Sequence, residues 1–206
     1  MIPDFLPKDK IEQRAIKLIA EYDALLLKDC VGTDPWNYMV FLQERGRLND
    51  FSYEDLGDDI LGGYNPRDNV IYLSRHLRGE LKPMHNFTVS HEIGHLMLHR
   101  NLYLKQAMQL ELAFEAMPDK KIICTRQNIA SEVVSNSLEW QANFFAACLL
   151  MPSASIKKQF YRHKSNSPYG NNEELLCKIF HCSKQSLRFR LQELELIDRH
   201  SSIGAY

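Results

Sequence analysis

FTVSHEIGHLMLH, Phe87 to His99, carries His91, His95 and His99 at four-residue intervals, with Glu92 directly after the first. On an α-helix, residues four apart lie about 40° apart round the axis, so His91 and His95 project from one face with ring nitrogens able to converge. Glu92 stands about 100° round from His91, poorly placed to share a ligand position but able to touch a water held there. The rest of the stretch is apolar, with Val89, Ile93, Leu96 and Met97. Burying two imidazoles and a carboxylate among such residues costs free energy unless something pairs with them, and a metal ion pairs with all three. Gly94 in mid-helix costs about 1 kcal/mol relative to alanine, which fits close approach of a backbone or ligand at that point. The pattern reads as two metal ligands, His91 and His95, with Glu92 as the carboxylate that takes and returns a proton. The competing reading is a plain core helix whose histidines are satisfied by polar neighbours.

Two histidines leave such a metal shell incomplete, since hydrolytic zinc sites take three protein ligands and a water. His99 continues the series, yet on a straight helix it lies about 80° round and about 12 Å along from His91. It reads as a residue that supports the ligands, or one near the helix C-terminus where the dipole favours it. Further on, LEWQANFFAACLLMP, Leu138 to Pro152, sets Glu139 and Asn143 four residues apart among small and apolar residues. Glu139 is the expected third ligand, with Asn143 holding the ligands in place by hydrogen bonding. The alternative is a solvated glutamate at a helix start. Gln141 is expected on another face.

Around these stretches, 206 residues with 45% hydrophobic content allow one main core and a small terminal module. We place the division between 1–165 and 166–206. Apolar positions Ile11, Ala15, Leu18, Ile19, Tyr22 and Leu26 predict a helix from Ile11 to Leu27, and a second falls around Trp36 to Glu44. GGYNPRDN marks a turn, and NVIYLS, Asn69 to Ser74, reads as a strand. Pro83 separates that strand from the histidine helix. A less regular stretch with Pro118, Lys120 and Lys121 leads to a helix from about Ser131 to Met151, stopped by Pro152. The tail from Glu173 to Ile197 reads as helix, turn, helix, with Ser183 as N-cap of the second helix. The expected fold is α+β and predominantly helical, with a small β-sheet and a helix-turn-helix-like tail.

A net charge of -1 gives no global field toward nucleic acid or an anionic membrane. No apolar run approaches the roughly 18–20 residues that span a bilayer, and the start MIPDFLPKDK lacks a signal-peptide core, so a cytoplasmic location is expected. Cys30, Cys124, Cys148, Cys177 and Cys182 are an odd number at scattered spacings and read as reduced, mostly buried thiols.

HEIGHLMLH followed 40 residues later by EWQANFFAACLLMP resembles the ImmA/IrrE family of bacterial and phage metallopeptidases, whose pattern runs HExGHxxLH, then ExxAN, FAA and LLMP. NVIYLS and FTVS are similar to the family's strand and helix lead-in. The resemblance implies a zincin-like metallopeptidase core with Zn2+ held by His91, His95 and Glu139, and Glu92 as catalytic carboxylate. It further implies a protein substrate, since known members cleave or inactivate helix-turn-helix repressors encoded beside them in phages and other mobile elements. Gln141 is a departure, because members often carry a second acidic residue there.

Zincins commonly hold substrate extended along an edge strand beside the metal, and Asn69, Val70, Ile71, Tyr72 and Leu73 are the expected strand; the alternative is an ordinary structural strand. Tyr161, His163 and His99 are the residue types available to stabilise an oxyanion. A DNA-binding tail would use Lys184, Arg188 and Arg190, but three cations interrupted by Glu193 and Glu195 make a thin footprint. Direct nucleic-acid binding is therefore not expected, and the tail reads as a helical cap that packs on the core or docks a repressor. Two functions remain: a zinc-dependent endopeptidase acting on a repressor, and a catalytically silent regulator of the same fold that binds a repressor or DNA. Intact Glu92 favours the enzyme.

Overall fold

Helix α1, Lys8–Asp29, turns Ile11, Ala15, Leu18 and Ile19 to one buried face, as their three- and four-residue spacing requires. Asp23 leaves the helical region, and its carboxylate accepts the Leu25 N–H at 2.9 Å, restarting the helix. Helix α2, Trp36–Glu44, buries Tyr38, Met39 and Leu42. The computed structural model describes residues 5–79, 82–113, 132–164 and 172–198. Cys124 and the stretch with Pro118, Lys120 and Lys121 lie outside them.

Strands β1 (Asp50–Glu54), β2 (Gly62–Asn65) and β3 (Val70–Ser74) form a mixed sheet in the order β1-β3-β2. β3 runs parallel to β1, with Phe51 opposite Ile71, and antiparallel to β2, with Tyr64 opposite Ile71. NVIYLS is thus a strand, but the central one, with Ile71 and Leu73 fully buried on one face and Val70 and Tyr72 half-buried on the other. Gly62 and Gly63, read as part of a turn, belong to β2 instead. The chain reverses at residues 66–69, where Asn69 takes φ 55 and its side chain accepts the Tyr64 hydroxyl at 2.8 Å.

Helix α3, Lys82–Ala113, begins with Pro83 in its first turn, where a missing N–H is harmless. At 32 residues it is about 48 Å long and runs well past His99; His99 is therefore an interior residue, and the expected helix-terminal placement is corrected. Helix α4, Glu132–Leu150, crosses it at Gly94. A Cβ there would lie 3.1 Å from the Ala142 carbonyl oxygen and 3.2 Å from its Cα, so the glycine is what lets two backbones meet. The main core joins α1, α2, the sheet, α3 and α4 through residues such as Leu18, Leu42, Ile71, Ile93 and Phe145.

Helices α5 (Ser153–Lys164), α6 (Asn172–Phe180) and α7 (Lys184–Glu193) share a second core built on Ile156, Leu176, Phe180 and Leu187. That core also takes in Leu150 and Met151, so its packing reaches back across position 165. Ser183 caps α7 by accepting the Ser186 N–H at 3.1 Å. Arg190, fully buried on α7, donates to the Met151 carbonyl at 3.1 Å and to Glu12 of α1 at 2.9 Å, and also pairs with Glu193. The architecture is a predominantly helical α+β fold with a small mixed sheet. No described helix is long and apolar enough to cross a membrane. Cys30, Cys148 and Cys182 are buried free thiols, and Cys177 is a half-buried one.

Candidate metal centre

The crossing of α3 over α4 brings His91, His95 and Glu139 together, each offering one ligand atom within 4.8 Å of the others. Nε2 of His91 lies 3.3 Å from Glu139 Oε2, Nε2 of His95 lies 3.4 Å from Oε1, and the two Nε2 atoms are 2.9 Å apart. A tetrahedral zinc with bonds of about 2.0–2.1 Å sets its ligand atoms about 3.3 Å apart. Both histidine–carboxylate separations match that value; the two imidazoles need to part by a few tenths of an ångström. The donor set also fits chemically, since two imidazoles and a carboxylate are a hydrolytic zinc ligand set.

Each histidine is held from behind through its Nδ1. His91 Nδ1–H donates to Asn143 Oδ1 at 2.9 Å, leaving Nε2 as a lone pair. His95 Nδ1 lies 2.9 Å from the Tyr103 hydroxyl and 3.1 Å from His99 Nδ1. Burial, helped by the neighbouring His95, pushes His99 down to about 3, so it stays neutral and its Nδ1 can accept from His95. Gln141, expected on another face from Glu139, is fully buried with its side chain beside the His99 ring.

Burial alone would raise the Glu139 carboxyl, but whenever His91 or His95 carries a proton on Nε2 its hydrogen bond to Glu139 outweighs burial and holds the group well below the usual carboxylate range. For His91, burial opposes protonation, yet the bond to Glu139 and the nearby Glu92 charge win and raise its pKa. Glu92 is buried and its pKa is raised by burial, with His91 and His95 opposing. Strand β2 lies against it: a Cβ at Gly62 would sit 2.8 Å from Glu92 Oε1 and 2.9 Å from Thr88 Cγ2.

Asn69, Val70, Ile71, Tyr72 and Leu73 do not form an edge. Both sides of β3 are hydrogen-bonded, to β1 and to β2, so no ladder remains for a substrate, and the Asn69 amide is committed to Tyr64 and to the Arg47 carbonyl. The edge strand that reaches α3 is β2. Tyr161 is 60% exposed on α5 and is not brought to the group. Lys184 is paired with Glu174, Arg188 with Glu173, and Arg190 with Glu12 and Glu193, so the cations of the DNA-binding reading are neutralised. Sequence reasoning missed Tyr103, although the ladder His91, His95, His99, Tyr103 keeps one four-residue step throughout.

The model of the M78 peptidase family, described as an IrrE N-terminal-like domain, matches residues 43–192. The chain belongs to that family. As an M78 member it is a metallopeptidase-type domain, and His91, His95 and Glu139 are a group that could hold its metal. No curated protein sequence matches the chain. Among solved structures it is similar in fold to a Mycobacterium tuberculosis transcriptional regulator, at 14% identity and a TM-score of 0.56, over 89% of this chain and 46% of that one. The M78 chain thus spans less than half the length of that neighbour.

Proposed function

We propose that this chain is a zinc-dependent endopeptidase that cleaves a protein substrate in the cytoplasm, and that the substrate is a helix-turn-helix transcriptional repressor. The observation that carries the reading is a set of three acceptor atoms, on His91, His95 and Glu139, converging beside a buried carboxylate, Glu92. Those three residues would hold the zinc, which when bound lowers the pKa of a water and polarises the scissile carbonyl. Glu92 takes the proton of the attacking water and returns it to the departing amine; a buried carboxyl with a raised pKa suits the return. Asn143 fixes the His91 ring, while His99 and Tyr103 fix the His95 ring. The polypeptide would lie along the edge strand β2, whose own backbone approaches Glu92 at Gly62.

The repressor assignment is supported by the paired motifs HEIGHLMLH and EWQANFFAACLLMP, which resemble the ImmA/IrrE family. A silent regulator of the same fold is the second reading, favoured by the name of the solved neighbour, a transcriptional regulator. Glu92 separates the two, because a binding scaffold gains nothing from that buried carboxylate. Glu92→Gln keeps size and hydrogen bonding but removes the proton transfer. Zinc content should match wild type, while cleavage of the repressor encoded beside the gene should fall by about 10²- to 10⁴-fold. Cleavage at the wild-type rate removes Glu92 from the chemistry. A wild type that binds repressors and cuts none makes the regulator the better account.

A further inference from the structure

Among the large apolar side chains exposed in the described residues, Leu61 (40%), Met84 (47%) and Phe189 (62%) line a single groove of about 900 Å³. Three helices and the lead-in to β2 build it. Met84 and Phe87 come from the first turns of α3, Phe144 from α4 and Phe189 from α7. Charge is cancelled at its border, where Arg190 and Glu193 are bonded to each other. The groove adjoins the candidate metal centre through Asn143, which lines it and holds His91 Nδ1 at 2.9 Å. Met84 is seven residues before His91 on α3, about 10 Å along the axis. That is the reach of about three residues of extended chain.

We propose that this groove is where the peptidase reads its substrate: it takes a bulky apolar side chain lying within three residues of the scissile bond, with Phe189 of the C-terminal module as its far wall. The proposal rests on the endopeptidase reading. A substrate polypeptide is the occupant because the groove shares Asn143 with the group that would act on it and lies within a few residues' reach of that group. Exposed apolar surface of this extent, rimmed by polar residues, marks a binding site, and its apolar lining with cancelled charge selects against acidic and basic side chains. The tail is then part of the recognition surface as well as a cap on the core.

Peptide hydroxamates test this without a known substrate, since the hydroxamate anchors on the metal while the peptide explores the groove. Two series are used on the zinc-loaded full chain, one with the peptide on the acyl side of the anchor and one built on succinyl hydroxamate, each with Leu or Asp next to the anchor. Acetohydroxamate, too short for the groove, reports the metal group alone. In one series the Leu compound should bind wild type at least about tenfold tighter than the Asp compound. Phe189→Glu and Met84→Glu, both at exposed positions, should each shrink that preference several-fold with unchanged circular dichroism and zinc content. Equal binding of Leu and Asp compounds in both series, or a preference that survives in both variants, overturns the groove assignment alone. Failure of acetohydroxamate to bind overturns the peptidase reading and the groove with it. A dimer that Phe189→Glu dissociates, with the Leu preference intact, gives the groove to self-association and overturns the proposal.

Discussion

Among the described residues, the polar cluster around Arg190 and the one around His91 are built on opposite principles. Around Arg190, every group has a complement: the guanidinium donates to Glu12, Glu193 and the Met151 carbonyl, and the cluster is closed. Around His91 the inward-facing atoms are all acceptors, two imidazole lone pairs and a carboxylate, because Asn143, His99 and Tyr103 occupy the opposite ring nitrogens. Acceptors alone repel one another at 3.3 Å and 3.4 Å, so this cluster is completed by a proton or a cation. A closed cluster joins elements, here α1, the residue after α4 and α7, whereas an open one is left able to take a ligand. The distinction lies in donor and acceptor inventory rather than in burial, which the two share.

The comparison predicts separable effects. Arg190→Met strands Glu12 and Glu193 without their cation. Loss of one partner from a fully buried pair costs about 3–5 kcal/mol, and because these carboxylates are 19% and 26% exposed the expected cost is about 2–4 kcal/mol. Urea unfolding measures it, and zinc affinity should not change; a variant that unfolds like wild type would show that the cluster is not a structural clamp. Asn143→Ala should do the reverse, weakening zinc binding by about 10- to 100-fold, or about 1.4–2.7 kcal/mol. Competition with a chelator reads that loss, and unaltered affinity would remove Asn143 from the support of His91. Gly94→Ala should blur the two regions. Overpacking against Ala142 costs about 1–3 kcal/mol and improved helix propensity returns about 1, for a net loss of about 0–2 kcal/mol. Since the added methyl pushes α4 from α3, zinc affinity should fall too, and a stable variant with wild-type affinity would mean that the crossing tolerates wider spacing.

Elements with helical periodicity were legible in the sequence, because the apolar spacing that marks them also buries them: α1, α2, α4 and the tail helices lie close to where Ile11, Trp36, Leu138 and Ser183 put them. The grouping of His91, His95, Glu139 and Asn143 was legible for a related reason, since four-residue steps put pairs on one helix face and two such pairs need only one crossing to meet. What depends on tertiary packing was not. Strand β1 is short and nowhere fully buried, so it shows no alternation. The glycine pair of β2 signals a turn locally, yet Gly62 is required by contact with Thr88 and Glu92. NVIYLS was read as an edge, although its apolar, β-branched content belongs to a strand with neighbours on both sides. Arg190 was counted as a surface cation, whereas its partners Glu12 and Met151 lie 178 and 39 residues away in sequence.

The central claim is that the open cluster holds a metal through His91, His95 and Glu139, with His99 behind them. Elemental analysis of wild type, Glu139→Ala and His99→Ala, each purified with zinc and dialysed against a weak chelator, tests it most directly. The account predicts about one zinc per wild-type chain, none retained by Glu139→Ala, and zinc still present in His99→Ala. Zinc kept by Glu139→Ala and lost by His99→Ala, in variants folded by circular dichroism, would contradict it.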